Sequence, residues 1–106
     1  MPKYLITGSY TAEGLRGLQK DKASGRRQAV TAAVEGLGGK VEGTYYAFGQ
    51  HDVYVIVDIP DNASMAAIGI AVSAAGLVRA HTTALLTVDE VDQALAKSVN
   101  YRPPGR

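Results

Sequence analysis

The sequence contains neither cysteine nor tryptophan, and it has a single phenylalanine. The absence of cysteine excludes disulfide bonds and thiolate metal sites, and it leaves the redox compartment open. No apolar run approaches the roughly 20 residues that a transmembrane helix needs. The chain enters a predicted strand directly, without the pattern of a signal peptide. We therefore expect a cytoplasmic protein that has no membrane partner.

A charge excess of one sign is also lacking, since 11 basic and 10 acidic residues give a net charge of +1. A nearly neutral chain has no bulk attraction for nucleic acid, so we expect no nucleic-acid partner. The length of 106 residues suits one domain. We predict a single domain over residues 1–106, in which residues 100–106 form an extended C-terminal tail with polyproline character.

Alternating apolar residues and turn signals predict the element order β-α-β-β-α-β, followed by one more helix. Thr11 is the predicted N-cap of the first helical segment, and residues 20–25 should interrupt that segment before a second helix begins near Ser24. Gly76 should end the next helix, and Asp89 should cap the last one. This order predicts an α+β, ferredoxin-like βαββαβ sandwich with antiparallel sheet order 4-1-3-2, an extra C-terminal helix, and both long helices on one face.

Alternation along each strand assigns its side chains to one of the two sheet faces. Val53, Val55 and Val57 are predicted to face the helices. Pairing Lys3 with Asp58 as a cross-strand ion pair sets the register of the first and third strands. The face that no helix covers is called the open face here. It is predicted to carry Leu5, Thr7, Ser9, Thr44, Tyr46, Phe48, Tyr54, Ile56, Asp58, Arg79, His81, Thr83 and Leu85.

An open face with this many apolar side chains is typical of an interface or a ligand site. We therefore expect a homo-oligomer, at least a dimer, in which two sheets pack face to face as a dimeric α/β barrel.

Several short segments also carry a family resemblance, namely residues 1–6, 9–11, 24–27, 49–52, 53–57, 82–83 and 101–105. Through them the chain resembles the GYD-domain family, small bacterial proteins of the ferredoxin-like, dimeric α/β-barrel type. The family is named for a glycine, a tyrosine and an aspartate, and His51 stands here where the tyrosine is expected. The resemblance implies the fold and no particular reaction.

The predicted sheet brings the end of its first strand and the starts of its third and fourth strands to one edge. The side chains gathered there are Ser9, Tyr10, His51, Asp52, Tyr54, Arg79 and His81. An imidazole near a carboxylate, a phenol and a guanidinium can move a proton and stabilise an enolate-like oxyanion. The candidate catalytic residues are His81, Arg79 and Tyr54, and the candidate ligand-binding residues are Thr7, Ser9, Tyr46, His51 and Asp52.

Each candidate also has a structural interpretation. His81 could be hydrogen-bonded inside a subunit interface without any turnover, and Asp52 follows a glycine turn, where a carboxylate commonly accepts from backbone N–H groups. The two histidines lack regular ligand spacing, so we predict no metal site. No P-loop or dinucleotide fingerprint is present, and we predict no cofactor. The basic segment 20–27 could bind a phosphate or a carboxylate, and a solvated loop is the alternative.

Together these features predict a homo-oligomer that holds a small organic molecule, and that could be a cofactor-independent enzyme acting on a carbonyl or enol compound. The alternative is a non-catalytic assembly or regulatory module whose open face is entirely used for subunit contacts. The expected partners are a second copy of the chain and a small organic ligand.

Overall fold

The computed structural model describes all residues, 1–106. Its elements in chain order are β1 (Lys3–Tyr10), α1 (Ala12–Gly36), β2 (Lys40–Tyr46), β3 (Val53–Asp58), α2 (Asn62–Ala75), β4 (Val78–Leu85) and α3 (Val88–Leu95). The four strands form one antiparallel sheet in the order β2-β3-β1-β4. This is the predicted order read from the opposite edge, and the fold is ferredoxin-like with an extra C-terminal helix.

The predicted register of the two central strands is confirmed. Lys3 lies opposite Asp58, and the pairs Leu5 with Ile56 and Thr7 with Tyr54 follow from it. The Lys3 ammonium donates to Asp58 Oδ1 at 2.9 Å and also contacts the Glu42 carboxylate. The ion pair therefore joins three strands at one end of the open face.

The face predicted for Thr44 and Tyr46 is wrong, because β2 contains a bulge. The partners of β2 on β3 shift between Val41 and Gly43, which leaves Glu42 as an extra residue. Since side chains alternate with a period of two, one extra residue moves all later side chains to the other face. Thr44 and Tyr46 consequently pair with Val55 and Val53 and lie on the helix side.

Phe48 lies beyond the end of β2 and is fully exposed, so it is not part of a regular strand face. Tyr45, which the sequence analysis did not select, takes the open-face position opposite Tyr54.

The helix boundaries follow local hydrogen-bonding chemistry. Thr11 caps α1 by accepting from the Gly14 N–H at 3.1 Å, and Gly76 ends α2 with φ 73°, as predicted. Asp89 was wrongly predicted to cap α3. Thr87 is the N-cap instead, because it forms a reciprocal capping box with Glu90, and Asp89 lies in the first turn.

The predicted interruption of the first helical segment lies at Lys22. Its backbone has φ 67° and ψ 164°, a conformation that residues other than glycine rarely adopt. The kink separates the first turns of α1, where Gly14 is buried, from the second part, where Val34 packs on the sheet.

The core lies between the sheet and the two long helices. Val34 from α1 and Met65 from α2 are buried against Val55 and Val57 of β3, with Tyr4 and Ile59 completing the cluster. The predicted orientation of the β3 valines is thereby confirmed.

The helix α3 packs on this body through no more than isolated contacts, and all eight of its residues are exposed. The chain measures 57 × 33 × 23 Å, with a radius of gyration of 16.9 Å. A compact chain of this length has a radius of gyration of about 13 Å, so the C-terminal region extends away from the body.

None of the three helices combines the length and the apolar character that crossing a membrane would require.

Candidate functional site

The open face carries a polar cluster at one end of the sheet. Thr7 lies between Tyr54 on β3 and His81 on β4, so these three side chains form a row across the sheet. Two residues further along β1, Ser9 lies opposite Arg79 of β4. We call Ser9, His51, Arg79 and His81 the edge cluster, because all four line one open depression of about 400 Å³.

The imidazole rings occupy the centre of the edge cluster. The ring of His51 lies 6.2 Å from that of His81 and 6.0 Å from that of Tyr54, measured between centroids. His51 Nδ1 lies 3.4 Å from Ser9 Oγ, which also donates to the Gln50 carbonyl at 3.0 Å. His51 is half-buried whereas His81 is exposed. The two imidazoles are therefore near neighbours on one surface, although 30 positions separate them in the sequence.

Asp52 holds the loop that presents His51. Its Oδ2 accepts from the Tyr10 N–H at 2.8 Å, and its own N–H donates to the Gly8 carbonyl at 2.8 Å. The carboxylate thus continues the antiparallel pairing where the regular ladder of β1 and β3 ends. This contact matches the structural interpretation of Asp52, in which a carboxylate after a glycine turn binds backbone N–H groups.

Tyr46 is separated from the edge cluster by the sheet. Its hydroxyl lies 3.5 Å from that of Tyr10, on the side of the helices. Burial raises the pKa of the Tyr10 phenol, and the contact with Tyr46 raises this pKa further, while Arg26 lowers it in part. The two phenols belong to a second set of polar groups, which sequence reasoning did not separate from the first because the bulge in β2 leaves no sequence signal.

The opposite end of the open face is also charged. Hydrogen bonds to Glu42 and then to Asp58 raise the pKa of Lys3, so this lysine holds its proton as part of a three-residue ion-pair network. Between the two polar ends lie Leu5 and Ile56, opposite each other on the central strands. The open face is thus apolar at its centre, with the edge cluster on one side and ions on the other.

The edge cluster brings together two imidazoles, a guanidinium and a hydroxyl. No group of three or more histidine, aspartate or glutamate side chains is placed to hold a metal ion. Imidazoles exchange protons near neutral pH, and a guanidinium binds carboxylates and oxyanions. Of the predicted site residues, Ser9, Thr7, His51, Tyr54, Arg79 and His81 lie on the open face together.

Comparison with protein families gives one result over most of the chain. A family model described as the GYD domain matches residues 4–95. This range runs from β1 to the last residue of α3. No curated protein and no solved structure matches the chain.

Proposed function

The chain belongs to the GYD-domain family, and from its incompletely covered surfaces we propose that it is a homo-oligomer, at least a dimer, that binds a small organic molecule. Two copies pack open face to open face as a dimeric α/β barrel. The observation that carries the proposal is that apolar side chains of the open face and of α3 are incompletely covered by the chain. Leu5 and Ile56 are only half-buried, Tyr45 is 66% exposed, and all of α3 is exposed. In a two-fold symmetric dimer, each copy covers the open face and α3 of the other copy.

The size of the open face supports this assembly. Four strands of about eight residues span about 19 Å by 26 Å, or about 500 Å² of flat area. A stable dimer buries about 800 Å² of accessible surface on each partner. The flat area of the sheet face falls short of this value, so α3 has to contribute to the interface as well.

The helix α3 supports the same conclusion. Val88, Val91 and Leu95 follow one another at helical spacing, and Val88 and Leu95 are each 79% exposed. An isolated helix of eight residues is not stable in water, so its apolar stripe needs a partner surface.

Closure of the open face by a second copy converts the edge cluster from an open depression into the wall of a chamber. In that chamber His81 acts as the proton donor and acceptor, and Arg79 holds a carboxylate or a developing oxyanion. Tyr54 and Thr7 position the ligand beside them. A catalytic form of this function is cofactor-independent proton transfer on a carbonyl or enol compound.

The competing function is a non-catalytic assembly or regulatory module. It is favoured by the uncovered state of α3, which a chain-to-chain contact explains without any ligand.

The oligomer is tested by light scattering after gel filtration at about 10 µM protein, a concentration at which a dimer of micromolar affinity is well populated. Ile56→Lys places a charge at the centre of the open face and should give a monomer. Ile70→Lys is the matched control, because Ile70 is 69% exposed on α2, away from the open face. A monomeric wild-type protein would refute the proposal.

The ligand is tested by native mass spectrometry with a panel of 2-oxo and 3-oxo acids. His81→Ala should abolish binding and leave the oligomer intact, whereas Thr83→Ala, two residues along the same strand, should bind normally. Dissociation or unfolding of His81→Ala, with no ligand bound by the wild type, would favour the assembly module.

A further inference from the structure

A second cavity lies on the other side of the sheet, between the sheet and the two long helices. Its volume is about 180 Å³, and 13 of its 19 lining residues are hydrophobic. We call it the interlayer cavity. A cavity of about 150 Å³ with apolar walls admits one benzene ring. The interlayer cavity is therefore large enough for a single ring with a short substituent.

Few polar groups line the interlayer cavity. Thr44 lines the cavity, and its Oγ1 is buried without a hydrogen-bond partner. A buried hydroxyl without a partner is costly, and such groups are rare unless they serve a function. The paired hydroxyls of Tyr10 and Tyr46 provide a second polar point, 3.5 Å apart.

The charged residues that line the interlayer cavity are all basic. Arg26 and Arg27 belong to the lining, which includes no aspartate or glutamate. The nearest carboxylate to Arg26 is that of Asp21, at 3.8 Å, which is too long for a hydrogen bond. The guanidinium of Arg26 also contacts the Tyr10 phenol, whose pKa it lowers, but with five N–H donors it retains donors for an anion. Arginine binds carboxylates with paired hydrogen bonds.

We propose that the interlayer cavity binds a small apolar carboxylate of about one-ring size. The apolar body lies among Val30, Val55 and Ile68, and the carboxylate meets Arg26 and the hydroxyls of Tyr10 and Tyr46. Thr44 Oγ1 has almost no accessible surface in the unliganded chain, so it becomes a hydrogen-bonding point for the ligand only after its side chain rotates. This site is independent of the proposed function, because the sheet separates it from the edge cluster.

The experiment uses the full chain with ¹³C-labelled isoleucine, leucine and valine methyl groups, titrated with phenylacetate and separately with phenylacetamide. These probes have the same shape, and only the first is charged. Phenylacetate should shift the methyl signals of Val30, Val55 and Ile68 with a Kd of about 1 mM or tighter. Phenylacetamide should bind at least about tenfold more weakly, since hydrogen bonds to charged groups are the stronger ones.

Two variants test the polar contacts. Arg26→Gln should remove the preference for the carboxylate, while Arg102→Gln, the same change in the tail, should leave the preference unchanged. Thr44→Val keeps the shape of the side chain and removes the unpartnered hydroxyl. It should weaken phenylacetate binding several-fold without lowering the thermal midpoint of the unliganded protein.

Three results would overturn the proposal. The first is the absence of binding of either probe up to about 10 mM, well above the expected Kd. The second is a set of shifts confined to Leu5, Ile56 and Leu85, which would place the probe on the open face and support the edge cluster instead. The third is an equal loss of affinity in Arg26→Gln and Arg102→Gln. Failure of the open-face proposal would appear in His81→Ala and leave these shifts unchanged.

Discussion

The start of α1 lies close against the backbone of Leu77, the residue before β4, and replacing Gly14 by alanine should break this junction. An alanine Cβ at position 14 would lie 2.1 Å from the carbonyl oxygen of Leu77 and 3.0 Å from its carbonyl carbon. The obstacle is backbone, which cannot rotate away as a side chain can. Gly14→Ala therefore forces the start of α1 away from Leu77.

The magnitude follows from the contacts that this separation removes. The Leu77 carbonyl accepts from the Thr11 N–H at 3.0 Å and from Thr11 Oγ1 at 3.2 Å. Two lost hydrogen bonds cost about 1 kcal/mol each, overpacking adds about 1 to 3 kcal/mol, and the better helix propensity of alanine returns about 1 kcal/mol. The free energy of unfolding should fall by about 2 to 4 kcal/mol, which lowers Tm by about 10 °C or more.

Gly17 provides the matched control, because it lies one turn further along the same helix. No atom lies within 4 Å of an alanine Cβ at position 17. Gly17→Ala should therefore raise the free energy of unfolding by up to about 1 kcal/mol through helix propensity alone. Replacing glycine by alanine should therefore lower the free energy of unfolding at position 14 and raise it at position 17 of the same helix.

Urea unfolding followed by far-ultraviolet circular dichroism measures both changes, at one fixed protein concentration because an oligomer shifts the apparent stability. If Gly14→Ala unfolds within about 0.5 kcal/mol of the wild type, as a neutral surface change would, then the close approach of α1 and Leu77 is wrong.

Two pH-dependent predictions follow from the shifted groups. Burial raises the pKa of Tyr10 above that of an unfolded tyrosine, so the stability it confers is present below pH of about 10 and is lost as the pH rises further. Between pH of about 8 and about 11, where tyrosines titrate, the urea midpoint of Tyr10→Phe should fall less than that of Tyr101→Phe. Equal alkaline losses would contradict the burial of Tyr10. Asp61 shows the opposite pH dependence. Its carboxylate accepts a hydrogen bond from the Ser64 N–H, which lowers its pKa. The stability that Asp61 confers is therefore present above pH of about 4 and is lost as the pH falls. Asp61→Asn keeps a capping acceptor that does not titrate, so its thermal midpoint should fall less than that of the wild type between neutral pH and pH of about 3; a parallel fall would exclude this cap as a source of acid sensitivity.

The central part of the fold was predictable from the sequence because alternation and ion pairing agree there. Val53, Val55 and Val57 alternate along β3 with Tyr54, Ile56 and Asp58. The Lys3–Asp58 pair then selects one register of β1 against β3. The N-cap at Thr11 and the helix end at Gly76 were also predictable, since both depend on residues within one turn of the boundary.

The edge cluster was predictable to the extent that it depends on this register. Once β1 and β3 are aligned and β4 is placed beside β1, Ser9, His51, Arg79 and His81 must meet at one end of the sheet. The burial of each ring and the hydrogen bond from Tyr10 N–H to Asp52 depend on loop geometry, which a strand pattern does not describe.

By itself, the sequence determined the element order, the register of the central strands and the membership of the open face on β1, β3 and β4. Only the tertiary structure decided the faces of Thr44 and Tyr46, because a single extra residue at Glu42 reverses a period-two pattern without changing its appearance. The tertiary structure also decided that the interlayer cavity exists and that α3 stands apart from the body. Cavities and uncovered helices result from how layers fit in three dimensions, and residue spacing along the chain contains no measure of that fit.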